Sequence, residues 1–300
     1  MPSPVPSQAP TMKIAALQMV STPEPAANLA AARRLIAQAA AAGAELVALP
    51  EYFCLMGRRD TDKLALAEDA PDAGGAPAAG PIQQALSGAA AEHGVWLIGG
   101  TLPLRVAGDD GQPRTDRVTN TTLVFDPHGR VAARYDKIHL FRFDDGTHHH
   151  DEAATLQAGT QPAAFTATDR TGQAWRVGLS ICYDLRFPEL YRHLSHPDHG
   201  GPCDLLAVPA AFTYPTGQAH WSLLLRARAV ENQCYVLAPA QGGQHDNGRR
   251  TWGHSLVADP WGEVLAEQAE GEGIVLAELQ RERMEQVRRQ LPALTHRVLG

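Results

Sequence analysis

Short apolar runs alternate with amphipathic segments along the chain from Lys13 onward. The apolar runs have the length of buried strands, whereas the longer segments repeat their apolar positions with the 3.6-residue period of a helix. This alternation is typical of an α/β fold, in which helices cover a sheet. The pattern predicts strands at 13–18, 45–50, 95–100, 174–181, 203–209 and 234–240, and helices at 26–42, 83–93, 187–195, 217–232 and 280–290.

Two stretches of sequence are repeated in the same order along the chain. Residues 123–133 (LVFDPHGRVAA) align with 256–266 (LVADPWGEVLA), and residues 46–50 (LVALP) align with 205–209 (LLAVP). The Asp-Pro-x-Gly sequence predicts a hairpin turn, because Pro presets φ and Gly tolerates a positive φ. A third hairpin turn is predicted at 169–172. Chance similarity is an alternative explanation for the repeated hairpin alone. Both repeats together predict two similar α/β halves with their sheets packed face to face.

The N-terminal segment differs from the rest of the chain. Residues 1–12, MPSPVPSQAPTM, contain no basic residue and no apolar segment, so they do not have the pattern of a secretory signal. We expect a disordered tail at 1–12 and one domain at 13–300, although length alone leaves two medium domains open. The Pro- and Gly-rich stretch at 70–81 is expected to be a loop.

Charge and cysteine content narrow the class of protein. The chain of 300 residues has 26 basic and 33 acidic residues and a formal net charge of −7, which argues against electrostatic binding to nucleic acid or a membrane surface. No run of about 18 apolar residues is present to cross a membrane. Without a CxxC pair, the four cysteines are too sparse for a disulfide framework, so we expect a reducing cytoplasm. They are Cys54, Cys182, Cys203 and Cys234.

Cys182 occupies a position suited to a nucleophile. It follows the apolar run at 177–181 and precedes a predicted helix, which places it at the carboxyl end of a sheet. Free N–H groups of the following turn can hold a developing oxyanion, and the helix dipole can lower the thiol pKa. The alternative is that Cys182 is a small buried hydrophobic residue at a strand end.

Two charged residues also follow predicted strands. Glu51 ends the second strand and is placed to act as a general base, with a pKa raised by partial burial; alternatively, it is an acid at a helix start. Lys137 follows the first hairpin, where it can lower a thiol pKa and bind an oxyanion. The alternative for Lys137 is a solvated surface charge.

A metal site is not predicted. The cluster of His148, His149 and His150 with Asp151 and Glu152 offers ligand types, but consecutive residues cannot all point at one ion, and no spaced HExxH or CxxC motif accompanies them. The sequence also contains no GxGxxG, Walker A or GxSxG motif, so no cofactor is expected. His220 is an alternative base for Cys182, although its place at a helix start favours packing or substrate contact.

Three motifs together resemble the nitrilase, or carbon-nitrogen hydrolase, superfamily. They are 49–53 (LPEYF), 135–141 (YDKIHLF) and 182–189 (CYDLRFPE), and the resemblance runs from Lys13 to about Val298. It implies a four-layer α-β-β-α sandwich, assembly into a homodimer or larger homo-oligomer, and a catalytic triad of Glu51, Lys137 and Cys182. In this interpretation Glu152 is a second active-site glutamate that orients Lys137 or the substrate.

The downstream segments look most like those of the Nit-type amidases that act on deaminated glutathione. They are 211–213, 216–221, 225–235, 252–255 and 259–262. The resemblance implies hydrolysis of a small-molecule amide to 2-oxoglutarate and Cys-Gly through a Cys182 thioester, with Lys137 and the Tyr183 N–H as oxyanion donors. The loop at 141–150 departs from that branch, which leaves specificity open.

Other functions remain as alternatives. They are an ω-amidase for 2-oxoglutaramate or similar short monoamides, a hydrolase of nitriles or N-carbamoyl compounds, a catalytically silent interaction scaffold, and an oxidation sensor based on Cys182. Arg186 is a candidate anchor for a substrate carboxylate, or else it pairs with Asp184 or Glu189. Further candidate substrate contacts are Phe212, Thr213 and His220.

Overall fold

The computed structural model describes residues 11–71, 75–77, 80–108, 111–144, 146 and 149–298, apart from the side chain of residue 149. Most of the expected tail, part of the loop at 70–81, and His148 therefore lie outside the described residues. The α-helices are α1 Pro25–Ala41, α2 Asp62–Ala65, α3 Pro81–His93, α4 Pro188–Leu194, α5 Tyr214–Asn232 and α6 Arg281–Gln290. The strands are β1 Thr11–Gln18, β2 Leu46–Ala48, β3 Trp96–Ile98, β4 Leu102–Ala107, β5 Pro113–Phe125, β6 Val131–Asp136, β7 Arg142–Asp144, β8 His149–Asp151, β9 Ala164–Thr168, β10 Ala174–Leu179, β11 Leu205–Ala207, β12 Tyr235–Ala238, β13 Gly242–Gln244, β14 Arg250–Trp252, β15 Ser255–Ala258, β16 Val264–Gln268 and β17 Gly273–Gln280.

Two large sheets share a core of five strands in the same order, β1-β2-β3-β5-β6 and β10-β11-β12-β15-β16. The first has the order β17-β1-β2-β3-β5-β4, with β6 also paired to β5, and the second has the order β16-β15-β12-β11-β10-β9. In each sheet three parallel strands, β1-β2-β3 or β10-β11-β12, are flanked by antiparallel strands. The two predicted halves are confirmed, and the echoes LVALP and LLAVP are their equivalent central strands.

The sheets and helices form four layers. Along β1, Ile14 and Ala16 face the second sheet, whereas Ala15 and Leu17 face α1 and α3. This alternation follows from the two-residue period of a strand and buries both faces. On the second sheet, α4 and α5 cover the face that points away from the first. The α-β-β-α sandwich predicted from the resemblance is therefore confirmed.

One hairpin turn occurs three times in the described residues. The side chains of Asp126, Asp169 and Asp259 each accept backbone N–H groups from residues two and four positions later. The glycine three positions after each aspartate has a φ of 80 to 84°, a conformation that disfavours other residues. These turns confirm the predicted hairpins.

Several boundaries differ from the predicted ones. Strand β1 begins at Thr11, so the last two residues of the expected tail are part of the sheet, and Met12 is fully buried. Helix α5 begins at Tyr214 rather than residue 217, since Pro215 favours the first turn of a helix. The eight-residue strand β17 was not predicted. The short strands β4, β7, β8, β13 and β14 were not predicted either, because three to six residues interrupted by Gly, Pro or charge carry little periodic signal. No helix in the described ranges combines the length and apolar character needed to cross a membrane.

Candidate active site

Strand ends bring four polar side chains to one point. Glu51 follows β2, Lys137 follows β6, Cys182 follows β10, and Glu152 follows β8 in the 3-10 helix Glu152–Ala154. All four are buried, Cys182 being the most exposed at 8%. Lys137 is only 1% exposed, so the alternative of a solvated surface charge is wrong.

The turn at Cys182 is held in an uncommon conformation. Cys182 has a φ of 47° and begins the 3-10 helix Cys182–Arg186. Its N–H donates to Pro209 O at 2.9 Å, and the Asp184 N–H donates to Ile181 O at 3.0 Å. Among the described residues this leaves the intervening Tyr183 N–H without an acceptor. A left-handed residue at a strand end persists only when its surroundings fix it, and such strain is common at reactive sites.

Lys137 lies between the two glutamates. Its Nζ donates to Glu51 Oε1 at 2.9 Å and to the two carboxylate oxygens of Glu152 at 3.0 and 2.8 Å. The Cys182 thiol lies next to the Glu51 carboxylate, close enough to interact with it electrostatically. The Cys182 thiol, the Glu51 carboxylate and the Lys137 ammonium group therefore lie next to one another in that order. The Glu152 carboxylate binds the ammonium group from the side opposite Glu51.

Burial divides the roles of the two glutamates. It raises the pKa of Glu51, which the Lys137 charge opposes. Burial also disfavours ionised Glu152, but the charge and hydrogen bonds of Lys137 and the Phe141 N–H hold the pKa of Glu152 below its ordinary value. Lys137 is buried too, yet the two carboxylates raise its pKa. Glu152 and Lys137 therefore form an ion pair, and Glu51, whose pKa is raised, is the carboxylate better suited to take up a proton.

Cys182 is a thiol rather than a thiolate in this environment. Burial and the adjacent Glu51 raise the pKa of Cys182 well above its ordinary value, and the Lys137 charge offsets this only in part. Lys137 lowers the thiol pKa as expected, but the expectation of a net lowering is wrong, because burial and Glu51 outweigh this effect. A thiol with a raised pKa needs a base in order to become a nucleophile, and Glu51 is the carboxylate next to it. A buried thiol with a raised pKa is also a poor oxidation sensor, because the thiolate is the form that oxidises.

The chain matches known proteins over most of its length. The sequence profile of the carbon-nitrogen hydrolase family matches residues 13–289. The chain belongs to this family. A protein named deaminated glutathione amidase from Synechocystis sp. (strain PCC 6803 / GT-S) is 44% identical over 95% of this chain and 97% of its own length. A human protein of the same name is 36% identical over 95% of this chain and 81% of its own length.

Solved structures of other carbon-nitrogen hydrolases share the fold. Nit3 from Saccharomyces cerevisiae, described as a member of branch 10 of the nitrilase superfamily, is 31% identical with a TM-score of 0.80, over 96% of this chain and 97% of that chain. An amidase from Nesterenkonia sp. AN1, in which acrylamide has added to the active-site cysteine, is 27% identical with a TM-score of 0.70, over 94% of this chain and 98% of that chain. The hydrolysis of carbon-nitrogen bonds, amides among them, is thus the chemistry of this family.

Further groups orient the two carboxylates of this carbon-nitrogen hydrolase. Asn120 Nδ2 and the Ala211 N–H donate to the two oxygens of Glu51 at 2.9 and 3.0 Å. Tyr52 donates its hydroxyl to Glu152 at 2.7 Å, and the Phe141 N–H donates to the same carboxylate at 2.7 Å. Sequence reasoning missed Asn120 and Tyr52. The available signals were an amide within an apolar strand and a tyrosine next to Glu51.

Asp184 connects the nucleophile turn to the lysine segment. Its carboxylate accepts from the Ile181 N–H at 2.8 Å, from the Tyr135 hydroxyl at 2.7 Å and from the His139 N–H at 3.1 Å. The His139 ring nitrogen Nδ1 also lies 2.7 Å from it. Because Tyr135 and His139 flank Lys137 on either side, these bonds set the position of Lys137 relative to Cys182.

The other candidate residues form one wall beside Cys182. Arg186 lies over the rings of Tyr183 and Phe212, at 5.9 and 5.4 Å from their centroids, and 3.3 Å from His220 Nδ1. Within the described residues it forms no ion pair, so the alternative of pairing with Asp184 or Glu189 is wrong. His220 is exposed and contacts Arg186, whereas Glu51 holds the thiol. Thr213 is exposed next to Phe212.

Metal ligation has no support in the part of the chain that is described. No group of three His, Cys, Asp or Glu side chains there is arranged to hold an ion. His150 Nδ1 lies 3.8 Å from Asp60, and the ring of His150 lies 5.6 Å from that of Phe141. Phe141 and His150, in the described part of the segment between Lys137 and Glu152, therefore flank the candidate active site, as the resemblance implies.

Proposed function

We propose that the chain hydrolyses the internal amide of deaminated glutathione, giving 2-oxoglutarate and Cys-Gly. The contact of the Cys182 thiol with Glu51, which also binds Lys137, carries the chemical part of this proposal. Two relatives that cover almost the whole chain and carry the name deaminated glutathione amidase support the substrate.

Acylation begins with a proton transfer. Glu51 accepts the proton of the Cys182 thiol while the sulfur electron pair forms a bond to the amide carbon. The carbonyl π electrons move to oxygen, and the Lys137 ammonium and Tyr183 N–H stabilise this oxyanion, each contributing about 3 to 4 kcal/mol. The tetrahedral species collapses, the C–N bond breaks, and the leaving amine takes the proton from Glu51. The product is a thioester on Cys182 and free Cys-Gly.

Deacylation uses the same base. A water molecule gives a proton to Glu51 while its oxygen attacks the thioester carbonyl. The C–S bond then breaks, the sulfur takes the proton back from Glu51, and the acid leaves. Glu152 transfers no proton in either half, because its pKa is held low; it holds the Lys137 ammonium toward the reacting carbonyl.

The wall beside Cys182 recognises the 2-oxo acid end of the substrate in this proposal. Arg186 is supported by two aromatic rings and lacks a carboxylate partner among the described residues. Its guanidinium can therefore bind a substrate carboxylate with two parallel hydrogen bonds. Phe212 supplies an apolar surface, and Thr213 and His220 supply polar contacts at the exposed rim.

The test compares two substrates. Release of 2-oxoglutarate from deaminated glutathione and from 2-oxoglutaramate is measured with the wild type, Cys182→Ala and Cys54→Ala. We expect a preference for deaminated glutathione that Cys182→Ala abolishes and that Cys54→Ala, which removes another buried thiol, retains. A preference for 2-oxoglutaramate would make the chain an ω-amidase. Wild-type turnover by Cys182→Ala would overturn the mechanism.

We also propose that the chain forms a homodimer through α5. Leu223, Val230 and Trp261 are 66, 49 and 56% exposed, and a Cβ at Gly262 would lie 2.7 Å from Val230, which places the Trp261 turn against α5. Burying such a surface against a second copy is favourable. We expect a dimer for the wild type and a monomer for Leu223→Glu in sedimentation velocity. A wild-type monomer would contradict this part of the proposal.

The cysteines bear on the compartment. All four are free and buried, and none forms a disulfide in the described structure. We place the chain in the cytoplasm, where thiols remain reduced.

A further inference from the structure

Lys63 is a cation close to the active site that the mechanism above does not use. It lies on α2, is half-buried, and its Nζ is 3.3 Å from Thr155 Oγ1 and 5.6 Å from the centroid of the Tyr52 ring. Among the described residues no carboxylate oxygen lies within ion-pair distance of it. A cation held away from water in this way needs a compensating negative charge.

The charged groups around Lys63 identify that charge. They are Glu152, Asp60, Arg249, Lys137 and His150. Asp60 already pairs with Arg249 at 2.7 Å, so these two groups neutralise each other. Burial lowers the pKa of Lys63, and Glu152 is the strongest of the charges that oppose this lowering. Glu152 is therefore the anion whose charge stabilises the Lys63 ammonium most.

Tyr52 lies between the two. Its ring faces the Lys63 ammonium, and its hydroxyl donates to Glu152 Oε1 at 2.7 Å. A cation near the face of a phenol ring draws electron density from it, which strengthens the hydroxyl as a hydrogen-bond donor. Lys63 therefore acts on Glu152 both directly through its charge and through the Tyr52 hydroxyl.

The charge balance of the site includes Lys63. Ionised Glu51, ionised Glu152 and Lys137 together leave one uncompensated negative charge in a buried site. In the tetrahedral state the proton is on Glu51 and the negative charge is on the substrate oxygen, so the sum is again one negative charge. Lys63 brings that sum to zero in both states, and in a site of low dielectric constant such compensation is large.

We propose that Lys63 is a positioning residue that, through Tyr52, keeps Glu152 ionised and supplies the second positive charge of the active site. The proposal rests on the proposed roles of Glu51 and Cys182. It does not depend on which amide is the substrate.

The test uses Lys63→Met, which removes the charge, and Lys63→Arg, which keeps it. A small cavity lies beside Lys63, lined by Thr101, Thr119 and Asn120 among others. Lys13→Met is the control, because Lys13 caps the end of α1 at Ala42 O, away from the site. The chain contains only these two lysines and Lys137.

The pH profile of kcat/KM provides the first measurement. Without the Lys63 charge both carboxylates are harder to ionise, so for Lys63→Met we expect the acid limb to move up by about one pH unit. We expect a kcat at pH 7 that is about tenfold lower and a KM within about twofold of the wild type. Lys63→Arg is expected to restore all three values, and Lys13→Met to change none. A raised KM with unchanged kcat, or an unshifted acid limb, would overturn the proposal.

A second measurement does not require turnover. The rate at which iodoacetamide alkylates Cys182, followed by peptide mass spectrometry, reports how readily the thiol loses its proton. We expect this rate profile to move to higher pH in Lys63→Met and to return in Lys63→Arg. If neither amide is hydrolysed, the proposed function fails while alkylation still tests Lys63.

Tyr52→Phe is an additional variant that protects the test against a folding defect at residue 63. Loss of the hydroxyl is expected to shift the alkylation profile in the same direction. In the Tyr52→Phe background the effect of Lys63→Met is expected to shrink, because the two act on Glu152 partly by one route. Fully additive effects would show that Tyr52 does not connect Lys63 to Glu152.

Discussion

The two glutamates of the site differ in the hydrogen bonds that they accept, and this difference gives them opposite pKa shifts. Glu152 accepts from Lys137 twice, from the Phe141 N–H and from Tyr52, so its charge is well solvated by the protein. Glu51 accepts from fewer strong donors and is next to a thiol that becomes negative when it ionises. The pKa values of two buried carboxylates on one lysine thus shift in opposite directions, which is the pattern expected of an acid-base pair with divided roles.

Glu51→Gln is predicted to abolish catalysis without unfolding the protein. The amide keeps the size of the side chain but cannot accept the Cys182 proton, and loss of a general base lowers kcat by about 100- to 10,000-fold. Steady-state release of 2-oxoglutarate measures this, with Glu189→Gln, an exposed residue on α4, as the control. A kcat for Glu51→Gln within tenfold of the wild type would show that another group takes the proton.

Lys137→Met is predicted to destabilise the fold as well as to abolish activity. Removing the ammonium leaves the buried Glu51 and Glu152 without the cation that is hydrogen-bonded to both, and breaking a buried ion pair costs about 3 to 5 kcal/mol. Urea unfolding measures this cost. The double variant Lys137→Met with Glu152→Gln is expected to recover much of the stability and none of the activity. A double variant as unstable as the single one would show that the loss arises from packing.

The sequence indicates the candidate residues that directly follow a strand. It does not indicate residues whose position in the site depends on how neighbouring strands pair. Glu51, Lys137 and Cys182 are detectable because each comes directly after an apolar run, at the edge where parallel strands end. Asn120 lies within β5, and its contact with Glu51 depends on how β5 pairs with β3 and β6 across the sheet. The pKa of Cys182 was predicted in the wrong direction because burial, which no local motif reveals, exceeds the effect of nearby positive charge.

Among the structural elements, hairpin turns are easier to predict from the sequence than the first residues of helices. The three Asp-x-x-Gly turns follow from residues that satisfy the turn locally. Four helices, in contrast, have proline in their first turn, namely α1, α3, α4 and α5, because the missing N–H of proline is not needed there. Hydrophobic periodicity predicts the first residues of these helices up to three residues away from the observed ones, because the first turn extends beyond the buried face.

Two glycines inside helices are predicted to respond in opposite ways to alanine. In α5, a Cβ on Gly217 would lie 2.2 Å from the Cβ of Trp252, so Gly217→Ala is expected to cost about 1 to 3 kcal/mol. The displaced Trp252 bonds to Phe212 O, next to the Ala211 N–H that holds Glu51, so kcat is expected to fall too. In α3, a Cβ on Gly88 meets nothing within 4 Å, so Gly88→Ala is expected to stabilise by about 0.5 to 1 kcal/mol. Urea unfolding of both variants checks the signs, and equal signs would contradict this account.

The active site is completed only when the two halves of the molecule dock. Glu51 and Lys137 follow strands of the first sheet, and Cys182 follows a strand of the second. The contact between the halves near the site is polar: Gln241 Nε2 donates to Ser21 Oγ at 2.8 Å and to Glu51 O at 3.0 Å. The repeated sequence segments predict the two halves. The residues that form these polar contacts lie outside the repeats, so the sequence does not predict the geometry of this joint between the halves.

His245 makes this joint sensitive to acid. It is 3% exposed, with Nδ1 2.9 Å from Ser21 O and Nε2 2.8 Å from Thr251 Oγ1. Because a carbonyl oxygen only accepts, the neutral ring carries its proton on Nδ1 and accepts from the threonine hydroxyl on Nε2. Burial lowers the pKa of His245, and the charge of Arg249 adds to this. Protonation would place an uncompensated charge between the halves.

The free energy of unfolding is therefore predicted to fall as pH drops below about 6.5, the ordinary pKa of histidine. In that range the unfolded chain binds a proton that folded His245 does not, so one such residue removes up to about 1.4 kcal/mol per pH unit until the folded form titrates. His150 and His193 also have lowered pKa values, so the acid response of the wild type alone does not isolate His245. The measurement is therefore the difference in free energy of unfolding between the wild type and His245→Asn, from urea unfolding at about pH 7.5, 6.5 and 5.5, which span the transition. The variant is expected to be less stable at pH 7.5 and to lose less stability on acidification, whereas His128→Asn, at an exposed turn, should follow the wild type. Parallel curves for the wild type and His245→Asn would show that His245 does not control the acid response of the joint.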